Sequence, residues 1–336
     1  MAEIVRDKAL EALNTFGVPA FARYYAVFAD RRQLDELFSM PETEGLPWYV
    51  LGGGSNVLFT GDYEGLMLQP VGKRMEAVEE SGETVSVGAE PGVVWADFVR
   101  FCVERGYGGV ENLSGIPGSV GAAPVQNVGA YGAEAKDVIR EVEIYLPQER
   151  TVRMLRREEC AFGYRDSVFK RELKGRAIVL SVTFELSRMP VFRLGYGDLV
   201  QEVERLGGAS PENVRRAVIS IRNAKLPDPA VLGNSGSFFK NPVVAPEAAE
   251  RLKARYPEMP SYPAPGGVKL AAGWLIDRAG WKGRREGRVG VHDRQALVLV
   301  NHGGAAGSEV LELARRIVAD VAEKFGVELE LEVNVL

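Results

Sequence analysis

Cysteine and histidine are nearly absent from this chain, and their scarcity removes whole classes of chemistry. In 336 residues there are two cysteines, Cys102 and Cys160, and two histidines, His292 and His302. They are too few for a Cys/His zinc site at any usual spacing, so no metal centre is expected. Two isolated thiols suit a reducing compartment. Long apolar runs are missing too. None reaches the ~20 residues that cross a bilayer, and the first residues, Met1-Ala-Glu-Ile-Val-Arg-Asp-Lys, lack the apolar core of a signal peptide. Positive charge is not in excess either: the formal net charge is −5, which argues against nucleic acid as a partner. The expectation is a cytoplasmic protein with no membrane segment. At 46% hydrophobic and 26% charged residues it can build a sizeable core. Its length suggests two or three domains at ~150 residues each. There is no internal repeat and no low-complexity tract.

Glycine, by contrast, is plentiful, and two stretches stand out. From Ser114 to Gly132 no side chain is charged, and Gly115, Gly118, Gly121, Gly129 and Gly132 alternate with Pro117 and Pro124. That density rules out a long regular element. Ile116, Val120, Val125, Val128 and Tyr131 are too apolar and too regularly interspersed for a solvated linker. Buried backbone groups need partners, and a pyrophosphate is the ligand that such a stretch suggests. The other stretch follows a short strand, Trp48-Tyr49-Val50-Leu51, and reads Gly52-Gly53-Gly54-Ser55-Asn56. A strand running into a glycine turn also suits a phosphate. It is neither G-x-G-x-x-G within a βαβ unit nor a P-loop ending in Gly-Lys-Ser/Thr.

Around these stretches the periodicity predicts strands over Thr84–Val87, Val138–Leu146 and Ile178–Leu186, the last alternating cleanly. A helix near Val93–Glu104 buries Trp95, Phe98 and Cys102 on one face. Phe162-Gly163-Tyr164-Arg165-Asp166-Ser167 is a glycine-containing turn in which spacing alone favours an exposed Arg165–Asp166 pair. A second glycine–aromatic turn spans Val191 to Leu199. Ser210-Pro211-Glu212 opens a helix that runs to about Asn223, and Lys225-Leu226-Pro227-Asp228-Pro229 stops it. A domain boundary is expected just before that helix. Gly233 to Pro242 is a polar, glycine-hinged turn leading into aromatics. It lacks the elbow pattern of a G-x-S-x-G hydrolase, and only His292 or His302 could complete a triad. A helix is expected from Lys269 to Gly280, and another from its cap at Ser308 to Phe325, with Gly326 past its end. The last segment alternates apolar residues with Glu328, Glu330, Glu332 and Asn334. On pattern alone the carboxylates form one solvated face.

Taken together these motifs resemble the UDP-N-acetylenolpyruvoylglucosamine reductase (MurB) family. Gly52-Gly53-Gly54-Ser55-Asn56-Val57-Leu58 matches its first flavin-phosphate loop and Ser114 through Gly132 its second. Tyr164-Arg165-Asp166-Ser167, Lys225-Leu226-Pro227-Asp228-Pro229, Gly236-Ser237-Phe238-Phe239-Lys240-Asn241-Pro242 and Glu330-Leu331-Glu332-Val333 follow in the family's order. Tyr196-Gly197-Asp198-Leu199 resembles the extra tyrosine loop of one subtype. Asn334 departs from that subtype, which often has arginine there. The resemblance covers nearly the whole chain.

The resemblance implies an α+β fold of the vanillyl-alcohol-oxidase/PCMH type. Residues 1–70, joined by 327–336, would form one FAD-binding subdomain and 71–209 a second. Residues 210–326 would form an α+β domain for the UDP-sugar. It implies non-covalent FAD, NADPH as reductant, and a monomer. The reaction would be reduction of UDP-N-acetylglucosamine enolpyruvate to UDP-N-acetylmuramate in peptidoglycan precursor synthesis. FAD would be held by Gly52, Gly53, Gly54, Ser55, Asn56, Ser114, Gly115, Pro117, Gly118, Ser119, Gly121, Ala122, Gln126, Asn127, Gly129, Ala130 and Tyr131. Tyr196, Arg222, Lys225 and Asn241 would meet the UDP-sugar. Arg165, Ser237 and Glu332 would be catalytic.

The chemistry is consistent with those roles. Hydride addition to an enol ether conjugated to a carboxylate develops negative charge on that carboxylate, and a preorganised cation such as Arg165 stabilises it. The adjacent carbon then gains a proton, by family match from Ser237 with help from Glu332. A serine hydroxyl is a poor acid and needs a nearby donor to support its alkoxide; Lys240 is close in sequence. Two other readings stay open here, an oxygen-using flavin oxidase of the same broad fold and a catalytically inactive nucleotide-sugar sensor.

Overall fold

The clean alternation from Ile178 onward becomes the central strand of an antiparallel sheet. The computed structural model describes residues 2–336. In this sheet the strand order is Thr151–Arg156, Ile139–Leu146, Ile178–Ser187, Thr84–Ala89, Met75–Ser81, and every neighbouring pair is antiparallel. The β-branched and aromatic residues facing one side of it meet the helix Trp95–Glu104. Trp95, Phe98 and Cys102 are buried on that helix, as the spacing predicts. The Phe98 and Phe184 rings lie 4.4 Å apart, and Trp95 packs 5.4 Å from Phe98. The indole Nε1 of Trp95 donates to Leu113 O at 2.9 Å, so the packed helix also fixes the chain just before Ser114.

The chain folds as two compact units. The first comprises Met1–Lys8, Ala22–Gly53 and Glu64–Ala224, and holds the sheet just described. It also holds a four-stranded sheet in the order Ile4–Ala9, Phe21–Phe28, Tyr63–Pro70, Trp48–Val50, apart from a few strand-end residues. Tyr24, Phe28, Leu34, Leu37, Leu66 and Leu68 form the core beside it. The helix Pro211–Lys225 opens as the sequence predicts, with Ser210 Oγ accepting from Asn213 N at 3.1 Å. Its Val214, Ala217 and Val218 pack with Leu199 and Val203. That apolar contact draws the helix into the first unit. The compact unit therefore ends at Ala224, after the helix, whereas a boundary was expected before it.

The second unit comprises Ala9–Phe21, Gly54–Tyr63 and Lys225–Leu336. Its long helix, Gly307–Phe325, lays Val310, Leu313, Ala314, Ile317 and Val321 fully buried on the strands Val289–Val291 and Leu299–Asn301. Ala306 caps the helix, not Ser308. Glu309 reaches back to accept from Ala306 N at 2.8 Å, the half of a capping box that its N3 carboxylate supplies. Gly326 closes the other end in the left-handed conformation. The helix expected over Lys269–Gly280 is shorter, Ala272–Arg278. Its first residues instead belong to the strand Gly267–Leu270, whose ladder to Ser261–Ala264 outweighs local helix propensity. Among the described residues no helix is long and apolar enough to cross a membrane.

Phe184 joins Phe98 and Trp95 at the centre of the first unit's core. Phe184→Ala is expected to lower stability by ~3–5 kcal/mol in urea unfolding. A loss below ~1 kcal/mol would show that this aromatic contact is not what holds the sheet to its helix.

Candidate functional site

Gly52 and Gly53, which open the first glycine stretch, meet the second stretch within the first unit at backbone distance. A Cβ built on Gly53 would lie 3.1 Å from Gly118 Cα, and one on Gly52 2.8 Å from Ser119 Oγ. A side chain at Gly121 would strike Pro91, 2.6 Å away. Gln69 Nε2 props the Gly52 carbonyl at 3.3 Å, and Tyr25 OH donates to Gln69 Oε1. Such close approach requires glycine and leaves main chain as the lining, the arrangement that suits a pyrophosphate. Ser119 fits the same group: its hydroxyl is buried and has no protein hydrogen-bond partner. Gly115, Pro117 and Ala122 are exposed and Gln126 is half-buried. Gly129–Ala130 forms a short strand against Ala133–Glu134. Ser114 differs from this set. It is 1% exposed and its hydroxyl donates to Glu111 O at 2.6 Å, so it secures the entry to the stretch from inside.

The stretch's carbonyls find donors in the protein itself. Ser167 Oγ donates to Val125 O. Arg165 donates from Nη2 to Gly129 O at 2.6 Å and from Nη1 toward Asn127 O at 3.5 Å. Asn112 Nδ2 donates to Tyr131 O at 2.8 Å, and Arg222 Nε to Gly115 O at 3.1 Å. The expected Arg165–Asp166 pair is therefore replaced. Asp166 pairs with Arg171, while the Arg165 guanidinium reaches the glycine stretch. Arg165, Asn127 and Tyr131 all have left-handed backbones, at φ 53°, 47° and 49°.

Arg222 and Tyr131 influence each other. Burial pushes the Tyr131 phenol up and the Arg222 guanidinium down, and each shift is opposed by the other residue. At neutral pH Tyr131 is a neutral donor and Arg222 a cation. Tyr131 also meets Tyr196 edge to face, with ring centroids 5.6 Å apart. Tyr196 is 58% exposed and precedes Gly197 at φ 57°. Asn112, which sequence reasoning missed, ties Tyr131 O to Arg193 O at 2.7 Å, and so links the glycine stretch to the base of the tyrosine turn. Only its place two residues before Ser114 hinted at this.

In the second unit Ser237 and Glu332 lie on neighbouring extended segments. Phe239 bridges Leu331, and Glu332 N donates to Phe238 O at 2.8 Å. Ser237 also bridges Val298 on its other side. The final segment is not the long regular strand that alternation predicts, since only Asn334–Val335 pairs as strand, in parallel with Val57–Leu58. Its carboxylates consequently differ. Glu328 and Glu330 are exposed, whereas Glu332 is half-buried. Lys240 Nζ pairs with Glu330 Oε2 at 2.9 Å, which draws it to that carboxylate. Asn56 donates from Nδ2 to Glu332 O at 3.3 Å, and Asn334 Nδ2 donates to Asn56 O at 2.9 Å. Asn334 thus joins the end of the chain to the first glycine loop. Gly54 in that loop is buried at φ 62°, and a Cβ there would lie 1.9 Å from Leu13 O. Ser55 is half-buried and Lys225 exposed; Asn241 Oδ1 accepts from Ala272 N at 2.9 Å.

Two family models match the chain. One, described as an FAD binding domain, covers residues 22–155, and the other, UDP-N-acetylenolpyruvoylglucosamine reductase, C-terminal domain, covers 228–336. The UDP-N-acetylenolpyruvoylglucosamine reductase of Pseudomonas aeruginosa is 50% identical over 335 residues, covering 99% of this chain and 98% of that protein. The Chromobacterium violaceum reductase is 50% identical over 334 residues, with 98% of each covered. The crystal structure of the Thermus caldophilus reductase superimposes with a TM-score of 0.68 at 26% identity, covering 100% of this chain and 98% of that one.

Gly54→Ala tests the first loop directly. The methyl group cannot fit against Leu13 O without moving the loop. The variant is expected to lose flavin absorbance on gel filtration under conditions where the unsubstituted protein keeps it, at a backbone cost of ~1–3 kcal/mol. Full retention would show that the loop has room to adjust.

Proposed function

The chain belongs to the UDP-N-acetylenolpyruvoylglucosamine reductase family, and on that premise we propose a division of labour among its residues. It is an FAD-dependent oxidoreductase, a UDP-N-acetylmuramate dehydrogenase, on an α+β fold of the vanillyl-alcohol-oxidase type. It reduces the enolpyruvyl group of UDP-N-acetylglucosamine enolpyruvate in peptidoglycan precursor synthesis, with NADPH as reductant. In the proposed scheme the main chain of Gly52–Asn56, Gly115–Gln126 and Gly129–Tyr131 holds the FAD pyrophosphate. Bound FAD supplies the hydride.

Arg165 stabilises the charge that grows on the substrate carboxylate as its terminal carbon accepts hydride. Its orientation by Gly129 O and Asn127 O supports this role, because carbonyl dipoles fix the guanidinium without cancelling its charge. Ser237 donates the proton that completes the adjacent carbon. Glu332 assists as an acid or by orienting the proton source. Lys240 is engaged by Glu330, so the serine's alkoxide draws its support from another group. The observation that carries this reading is the pairing of Phe238 O with Glu332 N at 2.8 Å, which brings two segments remote in sequence side by side. Tyr196, Arg222, Lys225 and Asn241 meet the UDP-sugar, with Tyr196 on the subtype's extra loop. The working unit is a single chain in the cytoplasm, where the buried, unpaired thiols of Cys102 and Cys160 stay reduced.

The decisive assay follows flavin absorbance anaerobically. NADPH should bleach it, and UDP-N-acetylglucosamine enolpyruvate should restore it. Ser237→Ala and Glu332→Gln should leave reduction by NADPH near the unsubstituted rate. Each should slow reoxidation by the enolpyruvyl substrate by at least ~10²-fold, the lower end for lost general acid catalysis. Normal reoxidation in both variants would return Glu332 to a plain half-buried carboxylate and Ser237 to a loop serine.

Tyr196 is proposed to act on binding. Tyr196→Phe should raise KM for the UDP-sugar about tenfold, as expected for the loss of one hydrogen bond of ~1.4 kcal/mol to a charged group. Steady-state kinetics showing an unchanged KM and a lowered kcat would place the hydroxyl in the chemistry instead.

A further inference from the structure

Asn127 has the surroundings of a structural strut, although the motif groups it with the flavin contacts. It is 0% exposed. Its amide is fully engaged: Nδ2 donates to Gly163 O at 2.9 Å and to Glu134 Oε2 at 3.2 Å, and Oδ1 accepts from Lys136 N at 2.9 Å. A primary amide has two N–H donors, and both are spent within the protein. Glu134 is itself held by Lys136, so the amide joins a braced cluster.

The other end of this strut is the turn that carries Arg165. Gly163 N donates to Asp166 O at 2.9 Å, closing a tight turn around Tyr164 and Arg165. Asn127 therefore grips the turn through Gly163 O, while its own main-chain carbonyl faces Arg165 Nη1 at 3.5 Å. Gly129 O, two residues on, accepts from Nη2 at 2.6 Å. One residue thus sets the turn's distance from the glycine stretch and supplies part of the surface on which the guanidinium rests. Few other residues could do both. Asparagine tolerates the left-handed backbone at φ 47° better than most non-glycine residues, and its side chain is short enough to cross-link two nearby strands of main chain. Aspartate would offer Gly163 O no donor and would face the Glu134 carboxylate.

We propose that Asn127 is a positioning residue for Arg165, registering the guanidinium against the glycine stretch by bridging Gly163 O and Glu134. The proposal rests on the assignment of Arg165 to the substrate carboxylate. A displacement of ~1 Å in such a group costs on the order of 10²-fold in rate, because the stabilising charge must be in place before the transition state forms.

The test uses the full-length, FAD-loaded enzyme in stopped flow. Asn127→Gly keeps the left-handed backbone and deletes the amide. Asn127→Asp keeps the shape and deletes the donors. In both, flavin content and reduction by NADPH should stay within ~3-fold of the unsubstituted enzyme. Reoxidation by UDP-N-acetylglucosamine enolpyruvate should slow ~10–100-fold, with the half-saturating concentration changed by less than ~3-fold. In an Arg165→Ala background the further loss from Asn127→Gly should be under ~2-fold, because the two residues act as one unit. Arg165→Ala alone reports on the assignment beneath the proposal: unimpaired reoxidation in that variant removes the role of Arg165 itself. With Arg165 upheld, three results overturn the role of Asn127: an undiminished additional loss in the double variant, unchanged reoxidation in both single variants, or loss of flavin and equal slowing of both half-reactions in both.

Discussion

Carbonyl oxygens need donors, and among the side chains from Ser114 to Gly132 only Ser114, Ser119, Gln126, Asn127 and Tyr131 carry one. A phosphate cannot help, since it too is an acceptor. A pyrophosphate can therefore satisfy only the N–H groups of this backbone. The protein answers the other half with side chains from elsewhere in the first unit: Ser167 on Val125, Arg165 on Asn127 and Gly129, Asn112 on Tyr131, Arg222 on Gly115. Residues with apparently separate duties are thereby brought to one backbone. Arg165 and Arg222 arrive with their charge intact in these contacts, because a carbonyl orients a guanidinium without neutralising it. A cation preset against fixed dipoles has little reorganisation left to undergo when negative charge develops nearby.

The second unit solves a different problem, that of making one carboxylate unlike its neighbours. Glu328, Glu330 and Glu332 alternate identically in sequence, and nothing local separates them. The separation comes from what the final segment lies against. Lys240 takes Glu330 at the surface. One turn of the alternation later, the Glu332 backbone is bound from both sides, N–H to Phe238 O and carbonyl to Asn56 Nδ2. Asn334 then fastens Asn56 in return through its own amide and its main-chain N–H. Asparagine at this position thus makes a close tie to the first glycine loop.

What could be read from the chain and what could not divide along physical lines. The sheet strands, the helix at Trp95, the Ser210 cap and the Gly326 stop were legible because each is set by near neighbours. The close packing of the glycine stretches was legible because so much bare backbone without charge suits only a close approach of main chain to main chain. Spacing misled at Arg165, where the adjacent Asp166 is the obvious partner but Arg171 takes it. It misled again at Ser308, where Glu309 makes the cap from inside the helix. The final segment looked like a long strand because alternation records burial, and burial by an irregular extended segment gives the same pattern. Asn112 and Asn127 were the least legible. A buried amide declares its role only through partners distant in sequence, here Arg193 and Gly163.

Three non-glycine residues of this region have left-handed backbones. Arg165, Asn127 and Tyr131 each adopt a backbone that costs non-glycine residues of order 1–2 kcal/mol. Glycine would relieve that cost at every one of them, and the surrounding chain is otherwise generous with glycine. Its exclusion from these positions means that the side chains are worth more than the strain. For Asn127 the return is the amide bridge, and for Tyr131 it is the ring against Tyr196 and the coupling to Arg222. For Arg165 it is a guanidinium aimed by a turn too tight to let it drift. Strain of this kind persists only where neighbouring contacts over-determine the backbone, and here Arg165 reaches Asn127 O, Asn112 holds Tyr131 O, and the Gly163–Asp166 turn encloses Arg165.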